Sequence, residues 1–585
     1  MTSKELREKF LEFFEKRGHK VVPSSLLLST DPSVLFTAAG MQQFKEYYLG
    51  RPSSFGNKVV SCQKCFRTSD IEEVGDESHL TFIEMLGNFS FGGYFKEEAI
   101  KLAYELLVSN FQLPISKIMV TVFGGDAEVP RDEESVRIWE KFGFSEKKEN
   151  LHFAGRADNF WGPTGEEGPC GPTTEIHIKG IEVWNLVFNE YYQDRNRKLT
   201  PLKQKGVDTG MGLERLVMIC QGKSSVYETD LFEPIIGELR KYTGPTSANL
   251  KAERIIADHI KGAVFLISEG IFPSNVGEGY VLRRILRRAI RFGKLLDLPQ
   301  GFLIPLAQKV VEIYQDIYPE VKSNETDILT VIQNEGEKFE KTLEGGLKEF
   351  KAQIAKCKLK AIPGKIVFDL YQSYGFPLEL TKELAREEGF KIDEEGFKEE
   401  FKKHQEISRA GVAKKFGGVE KEATYESAKL HTATHLLHSA LRKIFGDHVK
   451  QMGSDITSQR LRFDFSHPQK MTAEEIKKVE DLVNQKIKED LEVKKEEMRY
   501  GEAIKSGALA FFKEKYPEKV TVYSITELPK EAKGKKSAKL SSTGDFSKEI
   551  CAGPHVNKTL ELGKFKIIKE ESSGAGVRRI RAILE

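Results

Sequence analysis

Two neighbouring segments, KCFRT (64–68) and HLTFIEMLGNFSFGGYF (79–95), decide the fold of the first part of the chain. Their pattern predicts a strand, a loop, a second strand and then a glycine-rich turn. Arg67 lies on the first strand, where a guanidinium group can bind a phosphate through two parallel hydrogen bonds. The segments therefore indicate a β-sheet that carries an anion site.

A second glycine-rich segment, VDTGMGLER (207–215), predicts a tight turn from a strand into a helix. The start of that helix would present free N–H groups, and Arg215 would lie one turn inside it. Each pattern alone is common in proteins. Together they indicate a phosphate site only if Arg67 and Arg215 converge.

Composition limits the class of protein. The chain has 585 residues, 39% of them hydrophobic, which predicts about three or four packed domains. A net charge of +2 gives no global signal for nucleic acid, and six cysteines do not form a disulfide framework. Without a signal peptide or a long apolar run, we expect a cytoplasmic protein with no membrane partner.

The pattern of predicted helices and strands changes twice along the sequence, which predicts an α+β multidomain protein. Residues 1–240 mix strands and helices, residues 241–415 are almost entirely helical in pattern, and residues 425–585 return to α+β. We expect these three ranges to be domains.

Two short patterns near the end of the chain indicate a metal site. HTATH (431–435) places His431 and His435 on one side of a helix, and CAGPH (551–555) brings Cys551 and His555 together around a turn. Three imidazoles and a thiol suit zinc. The alternative is a packed helix end without an ion, and we assign the nearby His438 to packing.

A basic helix is predicted within GYVLRRILRRAIR (279–291). Its arginines form a stripe suited to an RNA backbone, although a salt-bridged surface helix fits the same pattern. The stripe consists of Arg283, Arg284, Arg287, Arg288 and Arg291.

The chain resembles the alanyl-tRNA synthetases, a family of class II aminoacyl-tRNA synthetases. The resemblance rests on segments that occur in family order over the first 220 residues: LFTAAGMQQF (35–44), CFR (65–67), TFIEMLGNFSFG (81–92), DNFW (158–161), GPCGPTTE (168–175), EVWNLVF (182–188) and VDTGMGLER (207–215). It implies an antiparallel sheet with flanking helices, followed by a helical tRNA-recognition domain and an α+β editing domain.

The resemblance also implies the activity and its site. ATP and Mg²⁺ would bind over the sheet, with Arg67 on the α-phosphate, Arg215 near the γ-phosphate and Glu84 in the same catalytic set. The alanine pocket would be lined by Met41, Trp161, Asn185, Asp208 and Gly210, with Asp208 pairing the substrate ammonium. The alternative for Met41 and Trp161 is that they are ordinary core residues.

The implied reaction has two steps. The alanine carboxylate attacks the α-phosphorus of ATP and pyrophosphate leaves; the terminal ribose hydroxyl of tRNA(Ala) then attacks the activated carbonyl. No protein nucleophile is needed. Two positions depart from the family: Lys294 and Gln372 stand where it has the Asn and Asp that read the acceptor-stem G·U pair. Dependence on that pair is therefore open.

The last range resembles the family's editing domain, which hydrolyses mischarged Ser-tRNA(Ala) and Gly-tRNA(Ala). Such a site is expected, because one methylene or hydroxyl gives only about 1–3 kcal/mol of discrimination. Zinc would be held by His431, His435, Cys551 and His555, and the pocket residues would be Thr434, Gln451 and Ser454. Four protein ligands favour an orienting zinc, whereas a loose ligand would allow a metal-activated water.

The family usually continues past this point into a C-terminal domain, so we expect a short form that is monomeric. Two other functions remain open: a deacylase with an inactive synthetase domain, and a non-catalytic RNA-binding relative. Arg67, Glu84, Asp208 and Arg215 are all present, which favours the ligase.

Overall fold

The structure is a computed structural model that describes residues 1–29, 31, 33–244, 249–357, 360–415, 424–467, 469–510, 519–526, 545–551, 553–574 and 577–585. It forms two compact units. The first unit comprises Met1–Ile271, Asn275–Lys351 and Tyr374–Leu380; the second comprises Phe272–Ser274, Ala352–Ser373 and Thr381–Glu585. Within the described ranges, no helix is long and apolar enough to cross a membrane.

The first unit is built on one large mixed sheet. The strands are β1 (Lys20–Val21), β2 (Lys58–Phe66), β3 (Phe82–Phe91), β4 (Ile118–Phe123), β5 (Leu151–Ala154), β6 (Phe160–Trp161), β7 (Gly168–Ile178), β8 (Ile181–Gln193) and β9 (Leu199–Gly212). Their order is β1-β2-β3-β9-β8-β7-β4-β5, with β6 paired to β7. The predicted antiparallel sheet is confirmed for the interior, whereas the outer pairs β1–β2 and β4–β5 are parallel.

Helices follow and flank this sheet. Those up to residue 354 are α1 (Ser3–Glu15), α2 (Lys45–Tyr48), α3 (Lys96–Tyr104), α4 (Glu133–Lys141), α5 (Arg156–Asn159), α6 (Leu213–Cys220), α7 (Glu233–Thr243), α8 (Leu250–Ser268), α9 (Gly277–Leu295), α10 (Leu303–Tyr314), α11 (Pro319–Ser323) and α12 (Glu325–Ile354). The predicted turn after VDTGMG is present, because β9 ends at Gly212 and α6 starts at the next residue.

Strand pairing divides the sheet residues between two faces. Residues directly opposite each other in antiparallel strands share a face, and neighbours along a strand alternate. Met85 therefore shares a face with Gln63, and Asn185 shares it with Gly210. We call this the Asp208 face, since Asp208 lies two residues before Gly210. Glu84 is on the opposite face.

The second unit contains three small sheets. Their strands are β10 (Ala361–Ile362), β11 (Lys391–Ile392), β12 (Gln451–Ile456), β13 (Leu461–Ser466), β14 (Glu492–Arg499), β15 (Lys519–Thr526), β16 (Asp545–Ile550), β17 (Phe565–Gly574) and β18 (Val577–Leu584). The strand orders are β10-β11, β12-β13-β18-β17 and β14-β15-β16. The helices after residue 354 are α13 (Gly364–Tyr374), α14 (Leu378–Glu387), α15 (Glu394–Lys415), α16 (Tyr425–Phe445), α17 (Ala473–Lys488) and α18 (Tyr500–Lys505). One apolar cluster joins α16 and α17 to β13 and β18.

The boundaries of the two compact units differ from those of the three predicted ranges. Asp258 of α8 accepts hydrogen bonds from Thr81, just before β3, so residues on both sides of position 240 pack as one body. The compact units therefore do not coincide with the ranges 1–240 and 241–415, whose status as domains stays a prediction. Most of the segment between the predicted ranges 241–415 and 425–585 lies outside the described residues.

Candidate active site and metal centre

Asp208 is a buried carboxylate on the Asp208 face. It is 6% exposed, and no cation or hydrogen-bond donor pairs with it among the residues that the structure describes. Burial raises the pKa of Asp208 to about 7. Burying an unpaired carboxylate costs several kcal/mol. The side chain is therefore suited to a cationic ligand.

The predicted walls of the alanine pocket lie on the same face. Met41 and Met85 belong to one buried apolar cluster, against which Trp161 packs while partly exposed. Gly210 lies on β9, and a Cβ there would come within 3.0 Å of the Met85 sulfur. Glycine therefore suits this position, because any side chain would crowd the Met85 sulfur.

Asn185 presents a specific polar atom to this face. Its Nδ2 donates to Glu175 Oε1 over 3.1 Å, and His177 Nε2 lies 3.0 Å from the other oxygen of Glu175. The buried Oδ1 of Asn185 has no partner within the described part of the chain. The fixed amide thus offers an acceptor, which suits an ammonium group. Glu175 and His177 were not predicted from the sequence, since a contact between strands leaves no local signal.

The two predicted phosphate arginines are both half-buried. Arg67 directly follows β2, and its Nε donates to Ala38 O over 3.3 Å. Arg215 lies in the first turn of α6 and donates to Glu182 O and Oε2 at 2.9 and 3.1 Å. By strand alternation, Arg67 falls on the side of Cys65 and Gln63, which is the Asp208 face.

Glu84 does not join this set, and its position does not support the catalytic role predicted from the resemblance. It is fully buried on the opposite face, where Arg7 of α1 donates to both carboxylate oxygens at 2.9 and 2.7 Å. Tyr318 donates to it over 2.9 Å. Burial acts to raise the pKa of Glu84, but the Arg7 guanidinium offsets this and the pKa lies below its ordinary value. Glu84 therefore holds helices against the sheet.

The arginine stripe of α9 is not exposed as an RNA-binding surface would be. Four of its members, Arg283, Arg287, Arg288 and Arg291, are less than 10% exposed. Arg287 Nε donates to Glu335 over 2.7 Å, and Arg284 pairs with Glu72. The salt-bridged alternative thus describes these side chains, and their contact with RNA stays a prediction. Lys294, at the end of α9, and Gln372, in α13 of the second unit, are exposed.

The predicted metal ligands meet in the second unit. The candidate ligand atoms of His431, His435, Cys551 and His555 all lie within 4.8 Å of one another. Cys551 Sγ is 3.2 Å from His431 Nε2. Helix α16 supplies the first two ligands one turn apart, and the chain after β16 supplies the others. This is a donor set and spacing that a tetrahedral zinc ion can use.

The three imidazoles are held in the neutral state, which is the state that binds a metal ion. Burial, reinforced by His435, lowers the pKa of His431 to about 4. Burial likewise lowers the pKa values of His435 and His555. The buried Nδ1 of His435 and Nε2 of His555 have no hydrogen-bond partner among the described residues. Neutral rings with unused nitrogen lone pairs are what a metal binds.

Neighbouring groups orient this cluster. Thr432 donates its hydroxyl hydrogen to Ala428 O over 3.0 Å, so His555 Nδ1, 3.1 Å away, is the donor to Thr432 Oγ1. That leaves Nε2 of His555 without a hydrogen. At Gly553 a Cβ would lie 1.9 Å from the ring of His431, so the loop approaches only because this residue is glycine.

His438 has a more definite role than the packing that we predicted. Its Nδ1 is 3.0 Å from Glu549 Oε1, and the second Glu549 oxygen lies 3.8 Å from His435 Nε2. Glu549 is buried, and although burial acts to raise its pKa, His435 and His438 bring the pKa below its ordinary value. This carboxylate therefore places negative charge beside the cluster.

The predicted editing residues are only partly supported by their positions. Thr434 is buried and donates to Leu430 O over 2.9 Å, while Thr432 is the threonine that contacts the ligand set. Gln451 and Ser454 both lie on β12, where the Gln451 amide donates to Ser454 Oγ over 3.0 Å. Ser454 is exposed.

Two family models match the chain. Residues 5–180 and 178–454 match the model of class II (A) tRNA synthetases. Residues 520–581 match the second additional domain of threonyl and alanyl tRNA synthetases. The first match includes the large sheet and α9, and the second includes Cys551 and His555.

Curated relatives match over the full length. An alanine–tRNA ligase of Borrelia hermsii is 48% identical over 99% of both chains. One of Treponema pallidum is 47% identical over 99% of this chain and 98% of its own. One of Thermotoga sp. is 39% identical over all of this chain and 80% of its own. The chain therefore belongs to the alanine–tRNA ligase family of class II aminoacyl-tRNA synthetases.

Proposed function

We propose that this chain is an alanine–tRNA ligase that activates alanine with ATP, transfers it to the 3′ end of tRNA(Ala) and hydrolyses mischarged tRNA. The observation that carries the first part is the carboxylate of Asp208 on the same face as the amide oxygen of Asn185, neither of which has a partner among the described residues. Two acceptors on a buried apolar face are complementary to a small amino acid with a free ammonium group.

The ammonium of alanine would pair with Asp208 and donate to Asn185 Oδ1, which Glu175 holds in place. Its methyl group would lie against Met41 and Trp161. The carboxylate would then point toward the α-phosphate of ATP, where Arg67 spreads the negative charge of the transition state. Class II synthetases use ATP with Mg²⁺, and we assign Arg215 to the far phosphates.

Editing is assigned to the second unit. His431, His435, Cys551 and His555 would hold a zinc ion, whose positive charge would orient the mischarged end of tRNA. Because all four positions are protein atoms, we favour this orienting role. Thr434, Gln451 and Ser454 remain the proposed pocket residues, and Thr432 joins them as the support of His555.

Recognition of tRNA(Ala) is proposed for the exposed Lys294 and Gln372. Gln372 can donate to and accept from a base edge but cannot act as a carboxylate. Charging of tRNA(Ala) with and without the acceptor-stem G·U pair measures how far recognition depends on that pair. The monomeric state stays a prediction.

Alanine-dependent exchange of pyrophosphate into ATP tests the function. We expect exchange with alanine and much weaker exchange with serine or glycine. A deacylase with an inactive synthetase domain, or a non-catalytic RNA-binding protein, would give none. A protein that deacylates Ser-tRNA(Ala) but shows no exchange would replace the proposal by the first of these.

A further inference from the structure

A buried series of hydrogen bonds runs from α9 to the strand end that carries Arg67. Arg288 Nη1 donates to His259 Nε2 over 3.0 Å, and His259 Nδ1 donates to Asp258 Oδ2 over 2.8 Å. Asp258 accepts from the Thr81 amide at 2.8 Å and from its hydroxyl at 2.7 Å. Thr81 O accepts from the Arg67 amide at 2.8 Å. We call Arg288, His259, Asp258 and Thr81 the Asp258 network.

The network has a single consistent arrangement of hydrogens. Arginine has only donors, so Nε2 of His259 must accept from Arg288, and Nδ1 must carry the hydrogen that Asp258 receives. Arg288 is also held by Ile71 O at 2.8 Å. Asp258, His259 and Thr81 are completely buried. A carboxylate at such a site binds its donors strongly, because water does not compete.

Close packing makes the connection rigid. Gly262 lies one turn after Asp258, and a Cβ there would be 3.0 Å from Thr81 Oγ1 and 3.1 Å from the Phe66 ring. The rings of Phe82 and Phe265 stack at 3.9 Å. Helix α8 therefore presses directly on the ends of β2 and β3, and small movements of Asp258 would reach Thr81.

We propose that Asp258 and His259 are positioning residues for nucleotide binding: they fix the backbone of Thr81 and thereby hold Arg67 where it meets a phosphate of ATP. Arg288 anchors them from α9, which gives this buried arginine a role within the protein. The inference deepens the proposed function and rests on its assignment of Arg67 to ATP. Under this proposal, Asp258 and His259 contribute to the nucleotide site although they touch no substrate.

ATP affinity of the full-length chain tests this, measured by calorimetric titration for the wild type, Asp258→Asn, Arg67→Ala and the double variant. We expect Asp258→Asn to weaken ATP binding about tenfold, since misplacing a binding group by a fraction of an ångström has effects of this order. In the Arg67→Ala background the same change should add nothing, because residues that act through one another are not additive.

Asp132→Asn is the matched control. Asp132 also accepts from an amide and a hydroxyl of one residue, Ser135, and pairs with buried Lys96. We expect this variant to lose similar stability but to keep the wild-type affinity for ATP. If Asp258→Asn does not fold, Thr81→Val removes one hydrogen bond of the network and should weaken ATP binding about threefold.

The outcomes separate the two proposals. Unchanged ATP affinity in Asp258→Asn, or equal losses with and without Arg67, would overturn the positioning role, as would a wild type that binds no ATP. A wild type that binds ATP but shows no alanine-dependent exchange would instead contradict the proposed function, and the ATP affinities would still decide on the Asp258 network.

Discussion

Asp208 and Glu84 are buried carboxylates in adjacent strands of one sheet, and their surroundings are opposite. Glu84 meets Arg7 and Tyr318, and its pKa lies below the ordinary value. Asp208 meets no cation or donor in the described part of the chain, and burial raises its pKa to about 7. A buried charge whose partner is inside the protein destabilises the fold when the pair is broken, whereas one without a partner indicates a ligand.

The same contrast holds between the metal cluster and α9. His435 and His555 keep buried nitrogens with no partner among the described residues, while Arg287 pairs with Glu335. Residue type alone predicts binding for both groups. The two groups differ in whether their polar atoms have partners within the protein, and substitutions can test this difference.

The largest effect is expected for Asp208→Asn. Loss of the charge that pairs with the substrate ammonium should lower kcat/KM for alanine in pyrophosphate exchange about 1000-fold, equal to roughly 4 kcal/mol. Thermal unfolding should show a protein at least as stable as the wild type, since the variant removes a buried charge that has no partner among the described residues. A variant that unfolds more readily would mean that Asp208 has an internal partner.

Cys551→Ala should remove the metal and with it the editing activity. We expect zinc content to fall from one ion per chain to near zero, and Ser-tRNA(Ala) hydrolysis to fall about 100-fold. Alanine-dependent exchange should not change, because the cluster lies in the other unit. Cys357→Ala, which alters a cysteine outside the cluster, is the control and should keep both metal and hydrolysis. Equal hydrolysis by the two variants would remove the metal from the account of editing.

Glu84→Gln should act on stability. Breaking the buried pair with Arg7 leaves an uncompensated guanidinium and should lower the free energy of unfolding by about 3 kcal/mol. Glu12→Gln on the same helix breaks only the exposed pair with Lys16 and should change it by less than about 0.5 kcal/mol. Urea denaturation measures both, and similar values would contradict the internal role of Glu84.

The smallest expected effect is on pH dependence. With its raised pKa, Asp208 is largely neutral below pH 7, so alanine binding should strengthen as pH rises from about 6 to about 8, by at most about tenfold per unit. The substrate ammonium stays protonated over this range. The same shift lowers the stability of the free protein over the interval from about pH 4 to about pH 7, because the folded state holds the proton more tightly than the unfolded chain. Asp208→Asn should show neither trend, and an affinity that falls with pH would exclude the pairing.

Local sequence patterns predicted the parts of the molecule that depend on local geometry. The i, i+4 spacing of His431 and His435 placed both on one side of α16, and VDTGMG predicted the turn from β9 into α6. Thr432 was not singled out from the sequence, because it lies on the same helix as Thr434 and only the fold shows that His555 contacts it.

Contacts between strands and helices that are distant in the sequence could not be predicted from local patterns. Glu84 alternates with Met85, so its face depends on strand register and on Arg7, which lies far away in the sequence. In the sequence the arginines of α9 form a basic stripe. In the fold most of them are buried, and Arg287 donates to Glu335. The contacts of Glu175 and Glu549 gave no local signal, since each acts through a residue brought to it by the fold.

The most direct test of the central claim compares Asp208→Asn with Glu84→Gln at a temperature where both are folded. Alanine-dependent pyrophosphate exchange is measured per folded molecule, with thermal unfolding recorded in parallel. We expect a stable Asp208→Asn protein with almost no exchange and a less stable Glu84→Gln protein with exchange near that of the wild type. A stable Glu84→Gln protein without exchange, beside an active Asp208→Asn protein, would contradict it.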